Sequence, residues 1–234
     1  NPKTIYLKKN NVSINNITND VDGNPITEIH FQDGSTIKKY DYYGNVISQK
    51  NENGNELKFE YDLNNNKVKE YSKDINNSFT YNDLNHLTSM KDINGTTTFE
   101  VDLNGNKTKV VDTNKDVTNY KFNSLNKVTE IVYPNNKIVN YEYNKNNQLS
   151  KVFENNKELE AYTYNSSGQV ATTKNKVSTT YNQYDSNSRL SYSETLDNND
   201  KLIHSTGYTY DVNDNLLQEY IRDGKSIYKN TYEY

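Results

Sequence analysis

The chain has 234 residues, with 27 Lys and Arg against 31 Asp and Glu, a formal net charge of -4, and neither cysteine nor tryptophan. The absence of cysteine excludes disulfides, thiol catalysis and cysteine-ligated zinc, and the mildly acidic balance argues against a surface dedicated to nucleic acid. A mean hydropathy of -1.10 would suit a disordered segment, but 22 tyrosines predict a folded β protein with a thin core, each ring packed and each hydroxyl wet.

No apolar run is long enough for a membrane-spanning helix or for the core of a signal peptide. The chain begins at Asn1 without a methionine and is expected to be a mature or excised segment. Its composition, free of cysteine and rich in Asn, Lys and Tyr, is compatible with export from a Gram-positive cell.

In chain order, residues 1–18 read as a lead-in strand, and residues 19–234 as one domain of tandem repeats. The anchor of each repeat is the residue before an Asp or Asn. Anchors fall at Asn19, Tyr40, Tyr61, Tyr81, Val101, Phe122, Tyr143, Tyr164, Tyr184, Tyr210 and Tyr234. The spacings from Asn19 to Tyr184 are 21, 21, 20, 20, 21, 21, 21 and 20 residues, and the last two widen to 26 and 24. A fixed period of this length marks a repeat architecture.

Each repeat divides into two strands and two turns. The first turn is followed by an aliphatic residue, as at Val46, Val68, Leu87, Val128, Leu149, Val170, Leu190 and Leu216. The strand before the next first turn ends in an aromatic pair two residues apart. These pairs are Phe59/Tyr61, Phe79/Tyr81, Tyr120/Phe122, Tyr141/Tyr143, Tyr162/Tyr164, Tyr208/Tyr210 and Tyr232/Tyr234, with Phe99/Val101 as the variant. The residue between the pair is polar, so one strand face is aromatic and the other wet.

The first turns place Asx residues and glycine where a left-handed backbone is needed: Asp41 with Gly44, Asp62, Asp102 with Gly105, Gly168 after Asn165, Asp185 and Asp211. Where glycine is missing, Asn65, Asn126 and Asn147 stand in for it. The second turns, such as Asn51–Asn55, Ile93–Gly95, Tyr133–Asn136 and Asp223–Gly224, are looser. Ten repeats of two strands give roughly twenty strands about 4.8 Å apart, and a twist of about 20–25° per strand makes such a ribbon curl. The expected class is all-β: tandem hairpins coiled into a spiral, solenoid or shell segment.

Three kinds of residue could carry chemistry: histidines, Asx-rich loops and tyrosine rows. His30, His86 and His204 occupy unrelated phases of the repeat, and no nucleophile elbow, phosphate loop or HExxH motif occurs. Asp62–Asn66, Asp102–Asn106 and Asp211–Asn215 resemble the first half of a calcium loop. The bidentate acid required at the twelfth position is instead Lys73, Thr113 and Arg222, so they read as Asx turns. Tyr61, Tyr81, Tyr143 and Tyr164 could stack sugars, but cross-strand packing is the preferred reading. No catalytic, cofactor or metal site is expected, and the segment reads as non-enzymatic.

The repeats resemble the YD repeat of the Rhs/YD-repeat proteins, roughly Tyr-x-Tyr-Asp-x-x-Gly-Asn/Arg-Leu. The match is close at Tyr40–Val46, Tyr61–Val68, Tyr184–Leu190 and Tyr210–Leu216, and the tandem register extends it over residues 19–234. The resemblance implies a spiral of hairpins walling a hollow shell around a toxin or other passenger, as in insecticidal toxin complexes, wall-associated proteins and teneurins. Several repeats depart from the pattern, with Asn for Asp and no turn glycine. The Pro/Asp/Gly junction that ends such shells is not present in this sequence.

The implied function is structural, as part of the shell of a secreted or cell-surface protein, and the alternative is a carbohydrate- or cell-wall-binding repeat module. Expected partners are the rest of a larger YD-repeat polypeptide and its passenger, further copies through sheet edges, and glycan under the alternative reading. Nucleic acid and membrane insertion are not expected. The longer loops after Tyr184 are where a further function would sit.

Overall fold

The computed structural model describes residues 12–19, 25–31, 36–51 and 53–234, with side chains from 37 onward except 52. The first eleven residues of the expected lead-in, and the side chains of Asn19 and His30, lie outside the described residues. Among the described residues the chain forms twenty-one strands and no helix. They fall into two compact units, residues 1–118 and 119–234.

The first unit holds β1 (Val12–Asn19), β2 (Pro25–Phe31), β3 (Thr36–Tyr40), β4 (Val46–Asn51), β5 (Glu56–Tyr61), β6 (Lys67–Tyr71), β7 (Asn76–Tyr81), β8 (Leu87–Asp92), β9 (Gly95–Val101) and β10 (Lys107–Val111). Each pairs antiparallel with the next, as a meander of hairpins. The boundary between units falls within β11 (Val117–Phe122).

The second unit continues with β12 (Val128–Val132), β13 (Ile138–Tyr143), β14 (Leu149–Glu154), β15 (Lys157–Tyr164), β16 (Val170–Asn175), β17 (Ser178–Tyr184), β18 (Leu190–Asp197), β19 (Leu202–Tyr210), β20 (Leu216–Asp223) and β21 (Ser226–Thr231). From β11 to β21 each strand again pairs antiparallel with its successor. The expected all-β tandem hairpins are therefore the observed architecture.

The alternation read from the sequence sets the two faces. Phe59 and Tyr61 are half-buried while Lys58 and Glu60 are exposed, and Phe79 and Tyr81 stand against exposed Ser78 and Thr80 in the same way. Among the described residues only Val139 is a buried apolar side chain, and none is fully enclosed. The core is a half-buried aromatic layer, part of it roofed by lysine stems. Lys67 lies 5.4 Å from the Phe59 ring and 5.1 Å from the Phe79 ring, and Lys107 lies 4.0 Å from Phe99. Such side chains cover apolar surface with their methylenes and keep the ammonium in water.

One irregularity recurs. The pairing slips by a residue at Lys39/Tyr40, Glu60/Tyr61, Thr80/Tyr81, Glu142/Tyr143, Thr163/Tyr164, Gln183/Tyr184 and Thr209/Tyr210. A bulge re-aims the side chain beside it and increases local twist. Here the extra residue lies on the return strand opposite the anchor, at Ile47, Val68, Thr88, Ser150, Ala171, Ser191 and Leu217, so the same bend faces the anchor tyrosine in each of these repeats.

At the C-terminal end the aromatic pair departs from expectation. β21 ends at Thr231, and Tyr232 and Tyr234 are 37% and 80% exposed, outside the strands. The Tyr232 hydroxyl reaches the Glu219 carboxylate at 3.3 Å and holds no strand carbonyl.

Candidate functional site

The first turn of each repeat, with the tyrosine before it, is where the chain concentrates its polar contacts. In the turn from Asp41 to Asn45, the Asp41 amide donates to the Asn45 carbonyl at 2.9 Å and the Gly44 amide to the Asp41 carbonyl at 3.1 Å. One Asp41 oxygen accepts from the amides of Tyr43 and Asn45 at 2.9 and 2.8 Å, and the other from Asn45 Nδ2 at 2.9 Å. Asp62, Asp102 and Asp211 repeat this geometry with Asn66, Asn106 and Asn215. Both oxygens of each carboxylate are thus committed to amide donors, as Asx turns require. Among the described residues no group of three or more His, Asp or Glu could hold a metal.

The fourth residue of the turn is left-handed: Gly44 at φ 88°, Asn65 at 64°, Asn85 at 61°, Asn126 at 58°, Asn147 at 59° and Gly168 at 82°. Asn tolerates this backbone better than other side-chain-bearing residues, which explains how the chain loses glycine without losing the turn. Gly105, at φ 86°, has a second constraint, because a Cβ there would lie 3.1 Å from His86 Nε2.

These interactions shift the carboxyls. The Asn66 side chain holds Asp62 below the usual carboxylate range, with the amides of Asn66 and Asn64 adding to it, and Asn106 does the same for Asp102 and Asn215 for Asp211. At Asp185 the Arg189 backbone amide is the largest cause, reinforced by the guanidinium, whose Nη2 lies 2.7 Å away.

Two couplings join one repeat to the next. The first is the anchor hydroxyl. Tyr61 donates to the Val46 carbonyl at 2.9 Å, Tyr81 to Lys67 at 2.9 Å, Tyr143 to Val128 at 2.7 Å, Tyr164 to Leu149 at 2.7 Å, Tyr184 to Val170 at 2.9 Å and Tyr210 to Leu190 at 2.9 Å. In each case the acceptor is the residue that opens the return strand of the preceding repeat. The hydroxyls expected to stay wet are therefore bound to main chain. Burial pushes the phenols of Tyr61, Tyr81, Tyr143, Tyr164 and Tyr210 up from their ordinary value.

The second coupling is a rung between successive first turns, made by the fifth turn residue. Asn45 Nδ2 donates to Asn65 Oδ1 at 2.9 Å, Asn66 Nδ2 to Asn85 Oδ1 at 2.8 Å, Gln148 Nε2 to the Gly168 carbonyl at 2.9 Å and Gln169 Nε2 to the Ser188 carbonyl at 2.7 Å. Lys127 reaches the Asn147 carbonyl. Arg189 donates to the Asp211 carbonyl at 2.9 Å and to Asp214 at 2.8 Å. His86 holds this same position, so its phase is that of the rung. Its Nδ1 is buried without a hydrogen-bond partner.

The sequence reading located the anchors and turns but missed both couplings. Their signals were present: tyrosine outnumbers phenylalanine at the second aromatic position, and the fifth turn residue carries a side-chain N–H, as Asn45, Asn66, His86, Lys127, Gln148, Gln169 and Arg189 do. The remaining aromatics, Tyr120, Phe122, Tyr141, Tyr162 and Tyr208, are half-buried on their strands, as are Tyr40 and Phe99. The Tyr162 hydroxyl is bonded to Glu160, and this raises it to about 12. Tyr61, Tyr81, Tyr143 and Tyr164 have their rings half-buried and their hydroxyls engaged, an arrangement suited to packing rather than to stacking a sugar. No helix of the described residues is long and apolar enough to cross a membrane.

No protein-family model and no curated protein matches the chain. Similarity lies in solved structures. The crystal structure of TcdB2-TccC3-Cdc42 matches 93% of this chain with TM-score 0.60 and 13% identity. That of TcdB2-TccC3-TEV matches 96% with TM-score 0.59 and 15% identity. The Tc holotoxin pore of Photorhabdus luminescens matches 95% with TM-score 0.58 and 14% identity. The chain spans only 14 to 16% of the length of these larger chains. At this identity the likeness is one of fold, and it extends over nearly all of the sequence.

Proposed function

We propose that this chain is a non-enzymatic segment of wall in a YD-repeat shell of a secreted or surface-exposed protein, with the active part being a passenger that the shell encloses. The observation that carries this reading is where the recurring contacts of each repeat go. Anchor hydroxyl, Asx oxygens and fifth turn residue all join one hairpin to itself or to its neighbour. A binding module would hold some of these groups in reserve for a ligand.

The fold shared with the TcdB2-TccC3 structures supports the same reading. So does the short reach of this chain along those larger ones, which leaves room for further wall and for cargo. The experiment is protease protection of the full native polypeptide that contains the segment. The reading expects a region outside the repeats to resist trypsin until denaturant opens the repeats, and then to be cut. Cleavage of every non-repeat region at the rate of an unfolded control would overturn it.

A further inference from the structure

Unit 1 carries two unlike rows of turns, one at each end of its hairpins. At the first-turn end, Tyr42, Tyr43, Leu63, Leu84 and Leu103 are 59, 76, 103, 53 and 86% exposed. An acid stands beside each tip: Asp41, Asp62, Asp83 and Asp102, and the turns 41–45, 62–66, 82–86 and 102–106 contain no Lys or Arg. Three of the tips are the same dipeptide, Asp62-Leu63, Asp83-Leu84 and Asp102-Leu103. In unit 2 the apolar tips are isolated, Leu125 and Val212 at 54 and 95% exposed, and the three successive tips between them, Lys145-Asn146, Ser166-Ser167 and Ser186-Asn187, are polar. Apolar side chains this exposed and this regularly spaced mark a contact surface rather than scattered surface residues.

At the other end of the same hairpins, the turns 72–75 and 92–95 flank an open concavity of about 830 Å³. Ile75, Ile93 and Tyr71 supply apolar walls, and Lys69, Lys73 and Lys91 supply ammonium groups. Two carboxylates also line it, Asp74 and Asp92, and one Asp92 oxygen already accepts from the amides of Asn94 and Gly95. Lys69 is engaged with Glu60 at 3.5 Å and lies over the Tyr71 ring. Among the described residues Lys73 and Lys91 enter no ion pair.

We infer that unit 1 docks edge to edge with a second copy of this chain, the Asp-Leu tips of one copy seating against the Lys-Ile end of the other. Leu84 would enter the concavity between Ile75 and Ile93, and Asp83, whose turn is held by Asn82 instead, would meet Lys73 or Lys91. The charges are complementary: four acids without a base on one side, three ammonium groups against two carboxylates on the other. A second copy is the occupant that fits because both rows recur every second strand, about 9–10 Å. Tips and receiving turns therefore share one period.

The two surfaces differ, so the contact is heterologous and does not close on itself at two copies. It is also small, which places it among weak, concentration-dependent associations. This docking requires only the two edges of unit 1, whatever the chain encloses.

The natural absence of cysteine allows a direct test. Leu84→Cys and Ile93→Cys are made as separate variants, mixed and oxidised, with Ser166→Cys as the unit 2 control. The mixed pair is expected to cross-link faster than either variant alone or than either with the control. In sedimentation, the weight-average mass should rise above 27.2 kDa between micromolar and millimolar protein. The triple variant Leu63→Ser, Leu84→Ser, Leu103→Ser should associate at least about tenfold more weakly, the worth of one buried leucine, with an unchanged β circular dichroism spectrum. A 27.2 kDa species at millimolar protein would overturn the inference. So would association that the triple variant leaves intact, which would point to pairing through sheet edges.

Discussion

Tyr61 and Val101 hold the same place in two repeats of unit 1, and they show what the recurring tyrosine contributes. Both precede an Asp turn, both are half-buried, and the pairing slips beside both. The turns after them are superposable in their hydrogen bonds, Asp62 with Asn66 and Asp102 with Asn106. Only Tyr61 carries a hydroxyl, and it is tied to the Val46 carbonyl of the preceding repeat. Phe122 lacks one as Val101 does. Strand, bulge and turn thus form without the hydroxyl, which adds attachment between repeats. At Val101, β9 therefore has no counterpart of the tie that Tyr61 makes to the preceding repeat.

The largest expected effect comes from removing ring and hydroxyl together. Tyr164→Ala loses a half-buried ring and the bond to Leu149, at a cost of about 3 kcal/mol in urea denaturation. Phe122→Ala loses only a ring, at about 2 kcal/mol. Equal losses would mean that the hydroxyl contributes nothing. Tyr164→Phe isolates the hydroxyl and should cost about 1 kcal/mol, making that repeat resemble the one at Phe122. The converse change, Val101→Tyr, brings a donor to the Leu87 carbonyl and should gain up to about 1 kcal/mol. A neutral or destabilising result there would show that the tyrosine position is fixed by more than the bulge.

Smaller effects appear in the pH dependence. The carboxyls of Asp62, Asp102, Asp185 and Asp211 are depressed in the fold. Their stabilisation is present above the unfolded value, near pH 4, and is lost as pH falls through the folded values. The anchor phenols are raised, so their contribution is complete below about pH 10 and declines as pH rises through the folded values. Asp62→Asn should leave the neutral melting temperature unchanged and reduce the acid loss, because Asn144 and Asn165 already build the same turn. A large loss at neutral pH would indicate a role for the charge that the geometry does not show.

The hairpin register was legible because period-two alternation and turn chemistry repeat together. A single turn such as Tyr133–Asn136 would have carried little weight alone, whereas many copies in phase fixed the strands. The thin core was legible from 22 tyrosines in a chain of mean hydropathy -1.10. The couplings were not. Whether the Tyr164 hydroxyl meets water or the Leu149 carbonyl depends on the register of β15 against β14, a backbone feature that the alternation does not reveal. The rung from Gln148 to Gly168 depends on successive turns lying side by side, so it emerges only once the strands are paired.

The central claim is that the tyrosine hydroxyl adds attachment between successive hairpins beyond the strand ladder and the turn rungs. Residue-resolved amide hydrogen exchange tests it most directly, since local opening follows local attachment. The account predicts that β9 and β11 exchange faster than β13 and β15 in the native protein, and that Val101→Tyr slows β9. Uniform exchange across β9 to β15, or no response to the added hydroxyl, would contradict it.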